Sequence, residues 1–376
     1  MAKLIHLSAR KFQYLTADAV YIENLAGQFA AALGSDYHLV VGNKSPEQFK
    51  GINLLNLNFR TWGKSVWLYF WPPYIYYFFW LPFFLAKEKG ADRVYFTSDQ
   101  NILCLLIFWK KRLSLKFKIC ADLHLLYENW KDGYIAKNCD FIITTSKKLK
   151  NLIIERFKTE PKKILPVYGG VDLANYAETV DRMELRKKFV LPLDKNLIGY
   201  VGLFKTMGME KGLKTMIEAA TKLEIDKMMV FVGGKAEELT EYKNYADQLG
   251  VAEKCIFIGR VKPGEVAEFE RAMDILVIPY PNRPHFRLYG FPMKIYEYMA
   301  AKKPIVYSAL ELAEEVMSDC GYAFKADDAG ALAETLKYVA DGKNQAAVQK
   351  KVEIAFAKLQ QLTWRKKAEN IIEFIT

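Results

Sequence analysis

The sequence predicts an α/β protein made of two doubly wound, Rossmann-like domains that face a central cleft. Short apolar runs alternate with helix-like patterns along the whole chain, which is typical of parallel sheets covered by helices on both faces. The chain has 376 residues, more than a single core usually holds, so two domains are expected. Ligands of such sheets bind at the carboxyl ends of the strands, and we expect the functional residues there.

The first domain is predicted over residues 1–175. Its strand-like and helix-like segments follow one another at 4–7, 20–33, 37–41, 52–57, 66–85, 94–97, 102–109, 117–121, 141–145 and 147–157. Residues 176–195 follow as a predicted linker, because this stretch is polar, irregular in pattern and interrupted by Pro192.

The second domain is predicted over residues 196–361. Apolar strands and amphipathic helices alternate here as well, and they indicate a second parallel sheet. The segments are a strand at 197–202, a helix from Gly212, a strand at 228–232, a helix at 237–249, a strand at 255–258, a helix at 263–272 and a strand at 274–279.

The net charge of +11 is unevenly distributed. Residues 1–180 carry 24 Lys and Arg against 15 Asp and Glu, a difference of +9, whereas residues 181–376 carry 30 against 28, a difference of +2. The first half is therefore expected to meet an anionic surface.

The five cysteines lack C-x-x-C spacing, so they predict neither a disulfide framework nor a zinc site. Free cysteines of this kind are typical of a reducing compartment. The apolar start of the chain is too short for a signal peptide. A cytoplasmic location is expected.

Residues 66–85 form an uncharged segment in which 12 of the 20 side chains are aromatic. Three prolines interrupt it and two predicted strands flank it, so we reject a membrane-spanning helix. Two interpretations stay open. The segment is either a helix packed on the sheet with its outer face covered by other parts of the protein, or a helix resting on a lipid surface. Nearby basic residues would aid the second, namely Lys110, Lys111, Arg112, Lys116 and Lys118.

The segment 291–306 is the most informative part of the chain. Pro292 suits the first position of a helix, so Lys294 falls in the first turn and Glu297 lies three residues further along the same face. A lysine and a carboxylate beside a helix N-terminus suit a phosphate and a ribose respectively. Taken alone, the pair could equally be a surface ion pair between residues i and i+3. The pattern predicts a nucleotide-linked substrate.

This segment, which continues to Lys303 and Pro304, resembles the donor-nucleotide motif of family-4 glycosyltransferases, retaining enzymes of the GT-B fold. The resemblance covers most of the chain and is strong from about residue 196 onward. Residues 362–369 resemble the final helix of these enzymes. A helix over about 362–376 is therefore expected to pack back on the first domain.

The resemblance implies roles for the residues of the motif. Glu297 would contact the donor ribose and Lys294 the donor phosphate. Family members carry a second glutamate eight residues earlier that contacts the donor sugar, and Tyr289 stands at that position. The loop at the donor sugar would comprise Tyr289, Gly290, Phe291 and Pro292.

The loop from Gly202 to Gly212 carries two further candidates. Lys211 and Gly212 match the family's Lys-Gly, and the resemblance implies that Lys211 holds the donor pyrophosphate. Lys205 would replace an arginine that is usual near the start of this loop. Fixed cations there stabilise the charge of the leaving diphosphate in the transition state. Taken alone, both lysines could be solvated loop residues.

In the first domain, His124 resembles the family histidine that approaches the donor sugar and the acceptor, and it is the candidate catalytic residue. A structural role is the alternative for a lone histidine. Thr16 and Ala17 partly match the small-residue loop that relatives place against the diphosphate and the acceptor.

Several motifs are absent from the sequence. There is no D-x-D, no cluster of metal ligands, no Walker loop and no G-x-G-x-x-G after the first strand. We therefore expect metal-independent chemistry and no cofactor beyond a UDP- or GDP-sugar donor. No stacking motif supports a nucleic-acid partner.

The resemblance and the charge distribution together predict a retaining glycosyltransferase that uses a nucleoside diphosphate sugar. Its acceptor would be lipid-linked or a glycan, and it would act as a peripheral protein on the anionic cytoplasmic face of the cell membrane. The alternatives are another GT-B activity, such as a sugar-nucleotide epimerase or hydrolase, and a membrane-associated scaffold with a degenerate donor site.

Overall fold

The structure is a computed structural model that describes residues 3–11, 17–43, 49, 51–58, 66–88, 90, 92–178, 180–290 and 293–376. The chain divides into two compact units. Met1–Tyr168 and Trp364–Thr376 form the first unit, and Gly169–Thr363 form the second.

The described strands of the first unit form a seven-stranded parallel sheet. They are β1 (Lys3–Lys11), β2 (Tyr37–Asn43), β3 (Leu54–Asn56), β4 (Arg93–Thr97), β5 (Lys118–Leu123), β6 (Phe141–Thr144) and β7 (Ile164–Pro166). Their order is β3-β2-β1-β4-β5-β6-β7, which reverses direction between β1 and β4. This is the order of a doubly wound sheet.

Helices connect these strands, namely α1 (Ala17–Leu33), α2 (Val66–Lys87), α3 (Gln100–Arg112), α4 (Trp130–Asn138) and α5 (Lys147–Phe157). The central strands β4 and β5 are buried over most of their length, as expected where helices cover both faces. Asp99 and Ser146 cap α3 and α5 by accepting hydrogen bonds from N–H groups of the first turn.

From Tyr74 to Lys87, α2 has one buried and one exposed face. Tyr77, Leu81 and Leu85 are buried at a spacing of four residues. Phe79 and Phe83 are 65% and 77% exposed. The first interpretation of this segment required a covered outer face, and in the described part of the chain that face is open at both phenylalanines.

Among the helices that the structure describes, none combines the length and the apolar character needed to cross a bilayer.

The second unit contains a six-stranded parallel sheet and a short antiparallel hairpin among its described residues. The strands are β8 (Asn196–Val201), β9 (Lys205–Thr206), β10 (Met209–Glu210), β11 (Lys227–Gly234), β12 (Cys255–Gly259), β13 (Ile275–Ile278), β14 (Ile305–Ser308) and β15 (Tyr322–Phe324). The sheet order β12-β11-β8-β13-β14-β15 reverses direction between β8 and β13. β9 and β10 pair as the hairpin.

The helices of this unit are α6 (Arg182–Lys188), α7 (Leu213–Ala220), α8 (Ala236–Gln248), α9 (Pro263–Ala272), α10 (Lys294–Ala300), α11 (Glu311–Met317), α12 (Ala329–Ala340) and α13 (Gln345–Leu359). The final helix, α14 (Trp364–Ile375), belongs to the first unit and packs against α1. Trp364, Ala368, Ile371 and Ile375 are its apolar buried side chains, and they recur at helical spacing.

Residues 176–195, predicted as a linker, contain α6, which belongs to the second unit. Arg186 is 2% exposed, and its guanidinium donates hydrogen bonds to the backbone oxygen of Ala272 and to the carboxylate of Asp274. The sequence analysis missed this helix because it is mostly polar and its burial depends on an arginine rather than on an apolar stripe.

The predicted fold class, two doubly wound Rossmann-like domains, is confirmed by the two parallel sheets and their strand orders. The predicted domain bounds stay a prediction. The compact units divide between Tyr168 and Gly169 and again between Thr363 and Trp364.

Candidate functional site

In the second unit, candidate residues gather where β8 and β13 end. The strand order reverses between these two strands, and doubly wound sheets bind ligands at that point. Gly202 follows β8, and Pro279 and then Tyr280 follow β13. α10 then begins at Lys294, in agreement with the prediction that this lysine lies in the first helical turn.

Lys294 lies against the backbone at Gly202. A β-carbon on Gly202 would overlap Cε and Nζ of Lys294, and the residue has a φ of +145°. Both the contact and the backbone conformation require glycine. The end of β8 therefore leaves space for the lysine side chain.

Gly212 places the neighbouring Lys211 near the end of β13. A β-carbon on Gly212 would overlap the backbone oxygen of Pro279, and its φ is +86°. The residue before α7 therefore touches the residue that follows β13. Nζ of Lys211 lies 5.9 Å from the ring centre of Tyr280.

The two lysines and Glu297 interact electrostatically. Burial, and next the charge of Lys294, lower the pKa of Lys211 to about 8, while Glu297 acts in the opposite direction. A bound anion would favour the charged form of such a lysine. The site is therefore suited to a ligand with negative charge.

Lys294 and Glu297 form an ion pair, with 3.3 Å between Nζ and Oε2. The lysine side chain is only 12% exposed, whereas Glu297 is 34% exposed. Nζ of Lys294 also lies 5.7 Å from the ring centre of Tyr298 and 6.0 Å from that of Tyr200. The pair is thus held among aromatic rings, unlike the exposed surface pair considered as the alternative.

Lys205 is placed by the β9–β10 hairpin. The two residues of its turn, Met207 and Gly208, both have positive φ, as in a type I′ turn. Nζ of Lys205 donates a hydrogen bond of 2.6 Å to Glu241 of α8, and this bond raises the pKa of the lysine. Lys205 is therefore engaged by α8, and its proposed role at a phosphate stays a prediction.

Glu210 occupies the start of α7, a role that the sequence analysis did not assign. Its carboxylate accepts hydrogen bonds from the N–H groups of Gly212, at 2.7 Å, and of Leu213 and Lys214. These are N–H groups that a helix start leaves without a backbone partner. Binding of an anion in this loop would therefore depend on the lysine side chains.

Tyr289 ends the π-helical turn His285–Tyr289, and Gly290 follows it. A β-carbon on Gly290 would be 2.6 Å from Nε2 of His285, so this turn folds closely over the glycine. Phe291 and Pro292, the rest of the predicted donor-sugar loop, lie outside the described residues.

Glu270 of α9 is a buried carboxyl that the sequence analysis missed. It is fully buried, and its Oε2 accepts a hydrogen bond of 2.6 Å from the Tyr176 hydroxyl. Oε1 has no hydrogen-bond partner within the described chain. The sequence did carry one sign of this burial, because Glu270 follows Ala267 by three residues and so lies on the apolar face of α9.

In the first unit, His124 follows β5 and is partly exposed. Its Nε2 lies 3.2 Å from Oδ2 of Asp122, which is buried and also accepts a hydrogen bond of 2.8 Å from the Tyr21 hydroxyl. Among the early loop residues, Ala17 is the first residue of α1 and Thr16 lies outside the described residues.

Within the described ranges, no group of three or more His, Cys, Asp or Glu side chains is arranged to hold a metal ion. The expectation of metal-independent chemistry stays a prediction.

In the second unit, Lys294 pairs with Glu297, and both lie within electrostatic reach of Lys211. The cations suit phosphate oxygens, and a carboxylate suits the hydroxyl groups of a ribose or a sugar. Such a set can bind a phosphorylated polyol.

Comparison with known proteins identifies a family that part of the chain matches. Residues 181–353 match the model of the family Glycosyl transferases group 1. This match lies within the second unit, and it confirms the resemblance predicted from the sequence.

Two curated relatives and one solved structure illustrate the similarity. An uncharacterized glycosyltransferase of Methanocaldococcus jannaschii is 26% identical over 45% of this chain and 42% of its own length. Alpha-monoglucosyldiacylglycerol synthase of Streptococcus pneumoniae is 23% identical over 72% of this chain and 65% of its own length. The crystal structure of Anabaena HepE in complex with UDP matches with a TM-score of 0.73 at 15% identity, covering 99% of this chain and 98% of that one.

These matches show the fold of the chain and a family match for residues 181–353. The structural match covers nearly the whole of both chains and shows the GT-B fold. The chain spans only 42% to 65% of the length of the two curated relatives.

Proposed function

We propose that the chain is a retaining glycosyltransferase that moves a sugar from a nucleoside diphosphate donor to a lipid-linked or glycan acceptor at the cytoplasmic face of a membrane. The observation that carries this proposal is the ion pair of Lys294 and Glu297, with Lys211 within electrostatic reach, at the reversal point of the second sheet. The family match of this unit supports it.

In the proposed donor complex, Lys211 and Lys294 bind the diphosphate and Glu297 binds the ribose hydroxyls. Cleavage of the sugar–phosphate bond leaves negative charge on the diphosphate. Two fixed ammonium groups stabilise that charge without reorganisation, which lowers the barrier to transfer. Because lysines neutralise the diphosphate, the proposed reaction uses no metal ion and no cofactor besides the donor.

The donor is proposed to be a UDP- or GDP-sugar. HepE, whose fold this chain shares, was crystallised with UDP, which supports a nucleoside diphosphate. Tyr289, Gly290, Phe291 and Pro292 are proposed to contact the sugar. His124 is proposed to act at the sugar from the first domain, with Thr16 and Ala17 near the diphosphate and the acceptor.

The aromatic surface of α2 and α3 supports a membrane location. Phe78 on α2 lies 5.3 Å from Phe79 and 6.1 Å from Phe108 on α3, measured between ring centres. Phe79, Phe83 and Phe108 are exposed. The last turn of α3 adds Lys110, Lys111 and Arg112. Apolar side chains beside basic ones favour an anionic lipid surface.

A lipid-linked acceptor fits this surface, because its lipid would hold the acceptor in the same membrane on which the enzyme rests. One relative is named alpha-monoglucosyldiacylglycerol synthase, and that name refers to a lipid. A cytoplasmic, peripheral location follows as part of the same proposal.

A scaffold with a degenerate donor site is the second candidate. The observation that favours the scaffold is the ion pair of Lys205 with Glu241. Lys205 is one of the three lysines expected at the phosphates, and this ion pair engages its charge. Donor binding without turnover of any nucleotide sugar would favour the scaffold.

The proposal is tested by a thermal-shift screen with UDP, GDP, ADP and CMP in the presence of EDTA. A ligand that binds the folded state raises the unfolding midpoint, so one responding nucleotide identifies the donor class. Release of that nucleotide from its sugar conjugate then tests turnover. No shift with any of the four at millimolar concentration would contradict the donor site.

A further inference from the structure

We infer that Asp122 is a positioning residue that holds His124 with its Nε2 as hydrogen-bond donor and leaves Nδ1 as the nitrogen open to a ligand. The inference rests on the proposed function insofar as His124 acts on the substrate. The contact between the Asp122 and His124 side chains does not depend on the proposed function.

Asp122 lies near the carboxyl end of β5, and His124 follows that strand directly after Leu123. The two residues are therefore close in sequence, and their side chains meet just beyond the end of the strand. Oδ2 of Asp122 lies 3.2 Å from Nε2 of His124. The aspartate is 1% exposed and the histidine 31% exposed, so a buried group holds one that solvent reaches.

The direction of this hydrogen bond follows from charge. Burial raises the pKa of Asp122, but His124, Lys367 and the Tyr21 hydroxyl together lower it more, so the pKa lies below its ordinary value. An ionised carboxylate can only accept, so Nε2 of His124 carries the proton. Nδ1 makes no hydrogen bond to any described residue and remains available.

Tyr21 of α1 fixes the ring and the carboxylate together. Its hydroxyl donates to the same Oδ2 at 2.8 Å. Its ring meets the imidazole of His124 edge to face, with 4.5 Å between ring centres. Trp364 of α14 packs against Tyr21, with 5.3 Å between their ring centres.

Lys367 of α14 balances the buried negative charge. It is 2% exposed, and its Nζ donates hydrogen bonds to the backbone oxygens of Val167 at 3.0 Å and Tyr168 at 3.2 Å. Nζ also lies 5.2 Å from the ring centre of Tyr21. The final helix therefore contributes to the surroundings of His124 as well as to the core of the first unit.

A purely structural role for Asp122 would be to attach α14 to the sheet through Lys367. That role predicts a loss of stability when Asp122 is changed and no particular change at His124. The positioning role and the structural role are distinguished by measuring the protonation and hydrogen bonding of the His124 imidazole.

The experiment is proton and nitrogen NMR of the His124 imidazole, with His124→Gln used to assign its signals. In the wild-type protein we expect a downfield Nε2–H resonance that exchanges slowly with water. In Asp122→Asn the resonance should move upfield and exchange faster, since a neutral oxygen is the weaker acceptor. Asp132→Asn is the matched control, because Asp132 is equally buried in the same unit and accepts hydrogen bonds from Gln100 and Asn129 instead.

Asp132→Asn should leave the His124 resonance unchanged even if it lowers the melting temperature. If Asp122→Asn does not fold, Tyr21→Phe is the second variant, because it removes one of the two donors to Oδ2 and changes the His124 hydrogen bond in the opposite direction. The shorter remaining bond should then move the Nε2–H resonance further downfield. A wild-type spectrum without a protected Nε2–H, or the same resonance in all variants, would overturn the inference.

Activity gives a second, separate readout. Asp122→Asn should lower kcat by about tenfold or more, with a smaller change in the donor KM. An unchanged kcat would overturn the positioning role. A protected Nε2–H in a wild-type protein that turns over no nucleotide sugar would support the placement of His124 and contradict the proposed function alone.

Discussion

The hydroxyl of Tyr176 donates a hydrogen bond of 2.6 Å to Oε2 of Glu270, a carboxyl that is fully buried in the second unit. Burial, and next the charge of Glu297, raise the pKa of Glu270 to about 8. Glu270 is therefore neutral near pH 7. The same unit thus holds a neutral carboxyl within electrostatic reach of the carboxylate proposed to bind the ribose.

The first prediction concerns the stability of this carboxyl. Glu270 ionises near pH 4.5 in the unfolded chain but near pH 8 in the folded one. Its raised pKa therefore contributes stability that is fully present below pH 4.5 and is lost as the pH rises to about 8. Glu270→Gln should remove this dependence, which is on the order of a few kcal/mol. Urea unfolding at a series of pH values measures it.

Tyr176→Phe is the companion variant for that measurement. It removes a hydrogen bond that lowers the pKa of Glu270, so the loss of stability should extend to higher pH than in the wild type. The same pH dependence in the wild type and in Glu270→Gln would show that Glu270 is ionised in the folded protein.

A second prediction uses the close approach of Gly202 and Lys294. Gly202→Ala would push the lysine away, because the added carbon overlaps its side chain. We expect nucleotide affinity to fall by about tenfold or more, together with a lower melting temperature from backbone strain. Calorimetric titration measures the affinity. Gly264→Ala is the control, because its β-carbon meets open space and its backbone is unstrained. If Gly202→Ala and Gly264→Ala bind the nucleotide with equal affinity, Lys294 does not belong to the nucleotide site.

A third prediction follows from the pKa of Lys211, which burial lowers to about 8. Above that pH the lysine loses its charge, so affinity for a nucleoside diphosphate should fall by up to about tenfold between pH 7.5 and roughly 9.5. Lys211→Arg keeps its charge over this range and should flatten the dependence. Identical pH profiles of affinity for the two proteins would mean that Lys211 does not contact the phosphates.

A fourth prediction tests the aromatic surface of α2. Replacing both Phe79 and Phe83 by serine should weaken binding to anionic vesicles by about tenfold or more, because two exposed aromatic rings no longer enter the lipid surface. Vesicle sedimentation at low salt measures this. Ile225→Ser removes an exposed apolar side chain from the second unit and should have no effect. Wild-type protein that stays in the supernatant would exclude the membrane surface as a partner.

Much of the fold was predictable because parallel sheets leave a strong pattern. The apolar strands and the helix 147–157 were visible in the sequence, and the structure places that helix at Lys147–Phe157. α6 was not predicted, since Arg186 is buried through hydrogen bonds that no apolar periodicity reveals. The β9–β10 hairpin is too short to leave a pattern of alternation.

The candidate site was predictable where residues are close in sequence. Lys294 and Glu297 share one helix, and Lys211 precedes a glycine that the backbone requires. Glu270 and Tyr176 are 94 residues apart, so their contact depends on packing that sequence spacing does not show. The ion pair of Lys205 with Glu241 was hidden for the same reason.

The most direct test of the account is calorimetric titration of the responding nucleoside diphosphate, in EDTA, into the wild type and two single variants. Lys294→Met removes a lysine of the proposed site. Lys227→Met removes a lysine with a similarly buried side chain, ion-paired with Glu224 at the amino end of β11. We expect about tenfold weaker binding or worse for Lys294→Met and unchanged binding for Lys227→Met. Equal affinity in all three proteins would contradict a diphosphate site at the reversal point of the second sheet.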